Sequence, residues 1–405
     1  MTAILDEAGL AILDENNLAI LDEELGVSNP YEAPPPEWTI YVRDVNGTRI
    51  AQLDAFEKAT MVLRHNGVGS WSLSAPASGP ATLVTVAGSG LEFVRNGVVI
   101  MTGPVVARVR RFDASFDGWD FTGVDDVVWL ARRLASPEPD VAVPPYDGQD
   151  YDVRTGPASS VIHAYVDANV GTAAVAARRV TGFTVGTDPV VGTTVTGRAR
   201  WQTVLDLCAA LADAGGIGFR VVDLTFGAYA LVDRSAAVQF SVDLGNLAAF
   251  SYASAAPEFN HIVVAGGGAG VARVVVEVSD STSVSGWGRI ESFRDRRDTT
   301  DTTEMTQTAN GDLAENASKI GLALTPIDTG SVRFGDHYNL GDVVTVIVDG
   351  VAIVDTVREV TIELTGAGES VRPLIGNPEA SPHRPRLFGL AARLNRQIRD
   401  LQRSQ

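Results

Sequence analysis

Leu91-Glu92-Phe93-Val94-Arg95-Asn96-Gly97-Val98-Val99-Ile100-Met101 places two apolar runs on either side of Asn-Gly. That dipeptide accepts positive φ at both central positions of a two-residue turn, so the stretch reads as a β-hairpin. The signature recurs along the chain. Trp38-Thr39-Ile40-Tyr41-Val42 runs to Asn46-Gly47, Met61-Val62-Leu63 runs to Asn66-Gly67, and Val343 to Val348 and Ile353 to Leu364 flank Asp349-Gly350. Repeated hairpins of this kind predict small barrels or sandwiches. The expected class is α+β and β-rich: several small β-barrel or sandwich modules, an inserted mixed α/β domain and a C-terminal helix.

Between the hairpins the period changes. Val124 to Leu134 reads as a short helix, and Ser136-Pro137-Glu138-Pro139 and Val143-Pro144-Pro145 then break the chain. Ser159 to Asn169 is expected to be helical with Ser159 or Ser160 as its cap. Trp201 to Ala214 is expected to be an amphipathic helix with Trp201, Val204, Leu205, Cys208 and Leu211 on one face, ended by Gly215-Gly216. Strands resume at Gly218 to Val222, Tyr229 to Val232, His261 to Val264 and Val274 to Val278, and Thr303 to Leu322 is expected to hold another helix.

The two ends differ from the rest. Ala3-Ile4-Leu5-Asp6-Glu7 returns as Ala11 to Glu15 and Ala19 to Glu23, an eight-residue period that fits short strands better than a helix. Pro30 and Pro34-Pro35-Pro36 follow as a linker. At the other end Leu387, Leu390, Leu394, Ile398 and Leu401 form a narrow apolar stripe after Pro373, Pro378, Pro382 and Pro385. Such a stripe suits self-association in a short coiled coil, and equally a helix folded back on its own domain. The expected division is 1–36 as arm and linker, 37–150 as a first barrel-like domain, 151–256 as a mixed α/β domain, 257–377 as a second barrel-like domain with an inserted helix, and 378–405 as linker and helix.

With 405 residues, 45% of them apolar, the chain can bury cores for two to four domains. No stretch approaches the roughly 20 apolar residues of a membrane span, and the acidic N-terminal segment lacks a secretory pattern, so cytoplasmic origin is expected. Cys208 is the only cysteine, which excludes an internal disulfide and a thiolate metal cluster within one chain. The formal charge of −18 opposes binding of nucleic acid through its phosphates, though it allows DNA to slide past.

Motifs that could carry chemistry meet simpler explanations. Asp328-Thr329-Gly330-Ser331 has the letters of an aspartic-protease loop, but it occurs once and also suits a polar turn. Gly266-Gly267-Gly268-Ala269-Gly270 follows a strand as a phosphate loop would. A strand rather than a helix is expected after it, so a hairpin loop is the better reading. His65, His163, His261, His337 and His383 are too scattered to converge on a metal, and the aspartates at 113, 117 and 120 and at 147, 150 and 152 miss the spacing of a calcium loop. Gly69-Ser70-Trp71-Ser72 alternates like a strand and lacks the second glycine of a nucleophile elbow. Fifty acidic residues offer too many pairs to single out a glycosidase couple. No catalytic, metal or cofactor site is expected.

Trp38-Thr39-Ile40-Tyr41-Val42-Arg43-Asp44 with Gly47, then Leu63-Arg64-His65-Asn66-Gly67-Val68-Gly69-Ser70-Trp71, opens a pattern that continues in Pro257-Glu258-Phe259-Asn260-His261-Ile262-Val263-Val264. It closes with Tyr338-Asn339-Leu340-Gly341-Asp342 and Val371-Arg372-Pro373-Leu374-Ile375-Gly376. In this order the segments, from about 38 to 376, resemble the minor tail proteins, related to tail hubs, of long-tailed (siphovirus) actinobacteriophages. The resemblance implies a structural, non-enzymatic virion protein at the tail tip, made in the host cytoplasm. It implies a homotrimeric hub of β-barrel modules that closes the tail tube beneath the distal tail ring. Its implied partners are the distal tail protein, the tape measure protein and tail fibre or tip proteins, with genomic DNA passing at ejection without specific binding.

Two other classes meet less support in the sequence. A receptor- or carbohydrate-binding tail module calls for an aromatic cluster, whereas Trp119, Trp129, Trp201 and Trp287 fall in separate elements. A tail-associated cell-wall hydrolase calls for convergent acids or a metal, and the sequence groups neither.

Overall fold

The computed structural model describes residues 36–114, 116–326 and 332–376. The terminal repeat, the Asp328 loop and the stripe Leu387, Leu390, Leu394, Ile398, Leu401 lie outside the described residues.

The first 90 described residues form seven strands: β1 (Trp38–Arg43), β2 (Arg49–Gln52), β3 (Lys58–Arg64), β4 (Ser70–Pro76), β5 (Gly90–Arg95), β6 (Val98–Phe112) and β7 (Asp117–Val124). The predicted turns are where the chain reverses, with Asn96 at φ 50° and Gly97 at φ 77° between β5 and β6. Helix α1 is shorter than expected, Val128–Ala131. Next come β8 (Asp152–Pro157), α2 (Ala158–Asn169), β9 (Thr184–Val185), β10 (Thr194–Ala199), α3 (Val204–Gly215), β11 (Ile217–Val222) and β12 (Thr225–Ala230). After β13 (Gln239–Phe240) and β14 (Leu247–Ala255) a lobe is inserted: β15 (His261–Ala265), β16 (Val275–Ser279), α4 (Ser281–Trp287), β17 (Glu291–Asp295) and α5 (Thr302–Glu315). The chain then returns through β18 (Lys319–Pro326), β19 (Val343–Val348), β20 (Val351–Thr365) and β21 (Gly368–Gly376).

The expected β-rich α+β class is what the chain adopts, but among the described residues no sheet closes into a barrel. Instead thirteen strands join in one sheet, in the order β14-β18-β21-β20-β3-β4-β7-β6-β5-β1-β2, with β19 on β20 and β13 on β19. The reason is visible at β3. Its outer edge pairs with β20, Ile362 opposite Met61, rather than turning back onto β6.

The sheet contains the same module twice. β5-β6-β7 and β19-β20-β21 are matching meanders: a six-residue strand, a two-residue turn, a fifteen-residue strand and a returning strand. Both long strands leave one residue out of register with the next strand, Val106 against β7 and Arg358 against β21. Each then continues outward through equivalent neighbours, β7 to β4 to β3 and β21 to β18 to β14. The copies differ at β5, which takes β1 antiparallel, whereas β19 takes β13 parallel. One continuous core, including Met61, Trp71, Phe93, Phe121, Phe240, Tyr338, Val360 and Ile362, lies behind both copies.

A second core, from Val127 to Phe226, is built by α2 and α3 against short sheets, and a third gathers Phe259, Ile262, Val264, Met305, Ala309 and Leu313 around α5. Three local expectations are corrected here. Ser159 and Ser160 do not cap α2; their hydroxyls donate to Asp188 Oδ1 and Oδ2, and Pro157 occupies the cap position. Helix α3 starts at Val204, because Thr203 caps it by accepting from the Asp206 N–H, and Trp201 sits before it at φ 66° and partly exposed. Helix α5 ends at Glu315, and the chain from Lys319 is strand β18, where Leu322 and Leu324 alternate into the first core.

Candidate functional surface

Eight of the joined strands, β14 through β6, present two unlike faces. Period-two alternation sends Trp71, Leu73, Met61, Ala59, Phe121, Ile362 and Leu364 into the core. The residues between them face outward in register across strands. Ser370 opposes Glu363, Glu363 opposes Thr60, Thr60 opposes Ser72, Ser72 opposes Thr122, and Thr122 opposes Ala107. Ser70, Ser74, Thr361 and Thr325 belong to neighbouring rows of the same face. The outcome is a broad surface rich in short hydroxyl side chains.

Its cations are held by carboxylates. Lys58 meets Glu363 at 3.0 Å, Arg372 meets the same Glu363 at 3.1 Å, and Arg64 meets Glu359 at 2.8 Å. Arg111 pairs with Asp120, which also accepts from the Ser74 hydroxyl at 2.6 Å. The hydrogen bond from Lys58 holds the Glu363 carboxyl below its usual range, so it stays ionised. Positive charge on this face is therefore neutralised within the chain.

The two copies of the module are locked together behind the face. Glu369 accepts from Arg95 Nε and Nη2, both at 2.9 Å, and from Trp38 Nε1 at 2.6 Å, while Arg95 Nη1 donates to Phe334 O. The second core is seated through Asp126. Its carboxylate accepts from Arg43 Nη2 at 3.0 Å and Thr102 Oγ1 at 2.6 Å, and Arg43 also meets Asp223 at 3.2 Å. Asn66, in its turn at φ 51°, donates to Ile217 O and accepts from the Phe219 N–H, clamping β11.

Two buried titratable groups lie beside these clamps. Burial raises Asp125 to about 7, and its Oδ1 finds no partner among the described residues. Burial, aided by Arg358, lowers His65 to about 4, with its Nδ1 3.2 Å from the Tyr229 hydroxyl. They sit in separate contacts. Gly266-Gly267-Gly268-Ala269-Gly270 lies in the predicted hairpin loop, since β15 and β16 pair antiparallel. Among the described residues no group of three or more histidine, cysteine or acidic side chains is arranged to hold a metal; of the aspartates singled out in the sequence, Asp117 pairs with Arg110, Asp120 with Arg111 and Asp152 with Arg154. An open depression of about 470 Å³ beside Gly171, Thr172, Arg179 and Thr184 contains no acid or histidine.

Sequence reasoning missed the extent of the hydroxyl face. Its signal was present in Ser70-Trp71-Ser72-Leu73-Ser74-Ala75, an alternation that marks a half-buried strand but does not say what its outer side meets.

The sequence profile of siphovirus ReqiPepy6 Gp37-like proteins matches residues 39–377. The chain belongs to this family. No curated protein matches its sequence. The fold of this Gp37-like chain is similar to that of the 43 kDa tail protein of prophage MuSo2 from Shewanella oneidensis, with a TM-score of 0.56 at 14% identity, covering 85% of this chain and 99% of the other. It is similar to a tail protein of Neisseria meningitidis MC58, with a TM-score of 0.53 at 13% identity over 85% and 97% of the two chains. The prophage tail protein gp18 of Listeria monocytogenes EGD-e gives 0.50 at 11% identity over 89% and 99%. At these identities the shared property is the fold. No described helix of the Gp37-like chain is long and apolar enough to cross a membrane.

Proposed function

We propose that this Gp37-like protein is a non-enzymatic structural tail hub, a homotrimer that closes the tail tube at its tip. It would connect the distal tail ring to tip proteins or fibres. The observation that carries the reading is the hydroxyl face of the eight strands from β14 to β6, whose cations are already paired. Affinity for DNA comes chiefly from exposed cations that displace counterions, so a polar wall without them lets a duplex pass without holding it. The internal duplication supports the oligomer: three chains with two modules each supply six alike modules for a ring. The apolar stripe from Leu387 to Leu401 would add a tie between chains.

The test is the mass of the purified full chain by light scattering, beside a chain ending at Ala380. A trimer supports the hub, and its loss on truncation assigns the tie to the terminal stripe. A monomer at every concentration, with and without the tail ring protein, overturns the reading.

A further inference from the structure

The duplication leaves two strand edges unpaired that are paired at the equivalent places inside the chain. In the C-terminal copy, β20 gives its outer edge to β3. Its counterpart β6 has no strand on that side of residues 107–112, and the counterpart of β3, which is β14, pairs only with β18 among the described residues.

From these two edges we infer that β6 of one chain pairs antiparallel with β14 of the next, repeating between chains the joint that β20 and β3 make within one. The inference rests on the proposed self-assembly and names its interface.

Aligning the copies on their out-of-register residues, Val106 with Arg358, makes Arg110 the counterpart of Ile362, which pairs with Met61. Through the ladders β4–β7 and β18–β21, Met61 corresponds to Tyr252. The register that follows sets Phe112 opposite Phe250, Arg111 opposite Ser251 and Arg110 opposite Tyr252. It keeps each face continuous, because Arg111 and Ser251 lie on the hydroxyl side and the other two pairs on the core side.

The side chains agree with that register. Phe112 is 79% exposed, Tyr252 45% and Phe250 37%, values that leave large aromatic area uncovered at both edges. The pairing would stack Phe112 against Phe250 and bring the Arg110 guanidinium to Tyr252. The β14 sequence Leu-Ala-Ala-Phe-Ser-Tyr-Ala-Ser-Ala has no charge and no proline, the usual devices that keep an edge from pairing. On β6 the arginines do not repel a partner strand, since Arg108 donates to Val84 O and Val86 O and Arg110 pairs with Asp117. Because the two edges differ, the contact is head-to-tail, and it closes into a ring or runs on as a filament according to the angle at the joint.

The experiment is cysteine trapping in the full chain with Arg111→Cys and Ser251→Cys. Native Cys208 is fully buried, and the two engineered sites lie on strands at opposite ends of an eight-strand run, about 34 Å along the sheet within one chain. A disulfide needs Cα atoms within roughly 7 Å, so it can form only between chains. Under mild oxidation most of the double variant should run on a non-reducing gel as covalent dimers and trimers. Each single variant, and Arg111→Cys combined with Ala255→Cys, should remain monomeric on the gel. A ladder ending at three chains supports both the pairing and the ring; a ladder running past three supports the pairing and rejects the trimer. A trimer by light scattering without cross-links overturns the pairing and leaves the hub standing, and a monomer without cross-links overturns both. Phe250→Glu, which preserves the rest of β14, should reduce cross-linking several-fold; unchanged cross-linking would also overturn the pairing.

Discussion

Trp71 lies over its cross-strand partner Gly123 so closely that a methyl group on that glycine would fall 2.1 Å from Trp71 Cζ2. The indole also donates Nε1 to Val124 O at 3.2 Å, which fixes the ring across β7. Gly123→Ala should therefore displace a fully packed indole and destabilise the protein by about 2–3 kcal/mol. Urea unfolding followed by tryptophan fluorescence measures this, and an unchanged midpoint would refute it.

Of the two carboxylates that meet Arg43, Asp126 is the buried one, with side-chain exposures of 1% for Asp126 and 4% for Arg43, while Asp223 is 65% exposed. Asp126→Ala leaves the buried guanidinium with the exposed Asp223 as its remaining carboxylate and should cost about 3 kcal/mol, whereas replacing both Arg43 and Asp126 by Met and Leu should cost less than the single change. Equal losses for the single and double variants would show that Arg43 finds other compensation.

Arg95 and Glu369 join the two copies of the module, each with side-chain exposure of 6%. A double-mutant cycle with Arg95→Met and Glu369→Met should give a coupling energy of roughly 2 kcal/mol in chemical unfolding. A coupling near zero would mean that the copies hold together by the shared core and the β3–β20 ladder alone.

Asp125 gives a pH dependence of defined sign. Its folded value, about 7, lies above the unfolded 3.8, so its favourable contribution is complete below about pH 4 and is lost as pH rises towards 7. Asp125→Asn should thus gain stability relative to the parent between pH 4 and 7. His65 acts in the opposite sense: its folded value, about 4, lies below 6.5, so stability is lost as pH falls from about 6.5 to 4. Unfolding midpoints of the parent and the His65→Gln and Asp125→Asn variants across this window separate the two. A pH-independent difference for Asp125→Asn would contradict the assignment.

The hydroxyl face should acquire DNA affinity when its neutrality is broken. Ser72→Lys with Thr122→Lys places two unpaired cations in one row, and retention on duplex DNA should appear at low salt and fall as salt rises, with a slope near 0.9 per phosphate neutralised. The parent should not be retained. Tight binding by the parent would count against a passive wall.

Much of this architecture was legible in local chemistry. Asn96-Gly97 and Asp349-Gly350 announced their turns because positive φ at both positions needs such residues, and Asn66 announced its turn by taking positive φ itself. The hairpin at Asp223-Leu224 was not announced. Leucine at φ 54° is no turn signal, and that conformation is held by tertiary partners, Asp126 and the Thr184 N–H. Helix α5 was extended too far because nothing in Lys319 to Leu322 marks the change of period, which the packing of Leu322 and Leu324 on the first core decides. The hydroxyl face was written in the serines of β4, but its extent depends on which strands neighbour one another. The pairing of β3 with β20 links residues 295 positions apart, as in Arg64 with Glu359, and no local pattern carries that information.

That same pairing has a consequence for synthesis. Strand β3 leaves the ribosome with its ladder open on one side, and residues 359–365, which close it, follow after nearly three hundred others. The first module must therefore wait, partly folded and with a competent edge, through translation of the second core and the inserted lobe. During that interval a nascent neighbour carrying the same edge is a competitor for it. Slowing translation after β7 should favour aggregation of this chain, and speeding delivery of the last two strands should favour the soluble product.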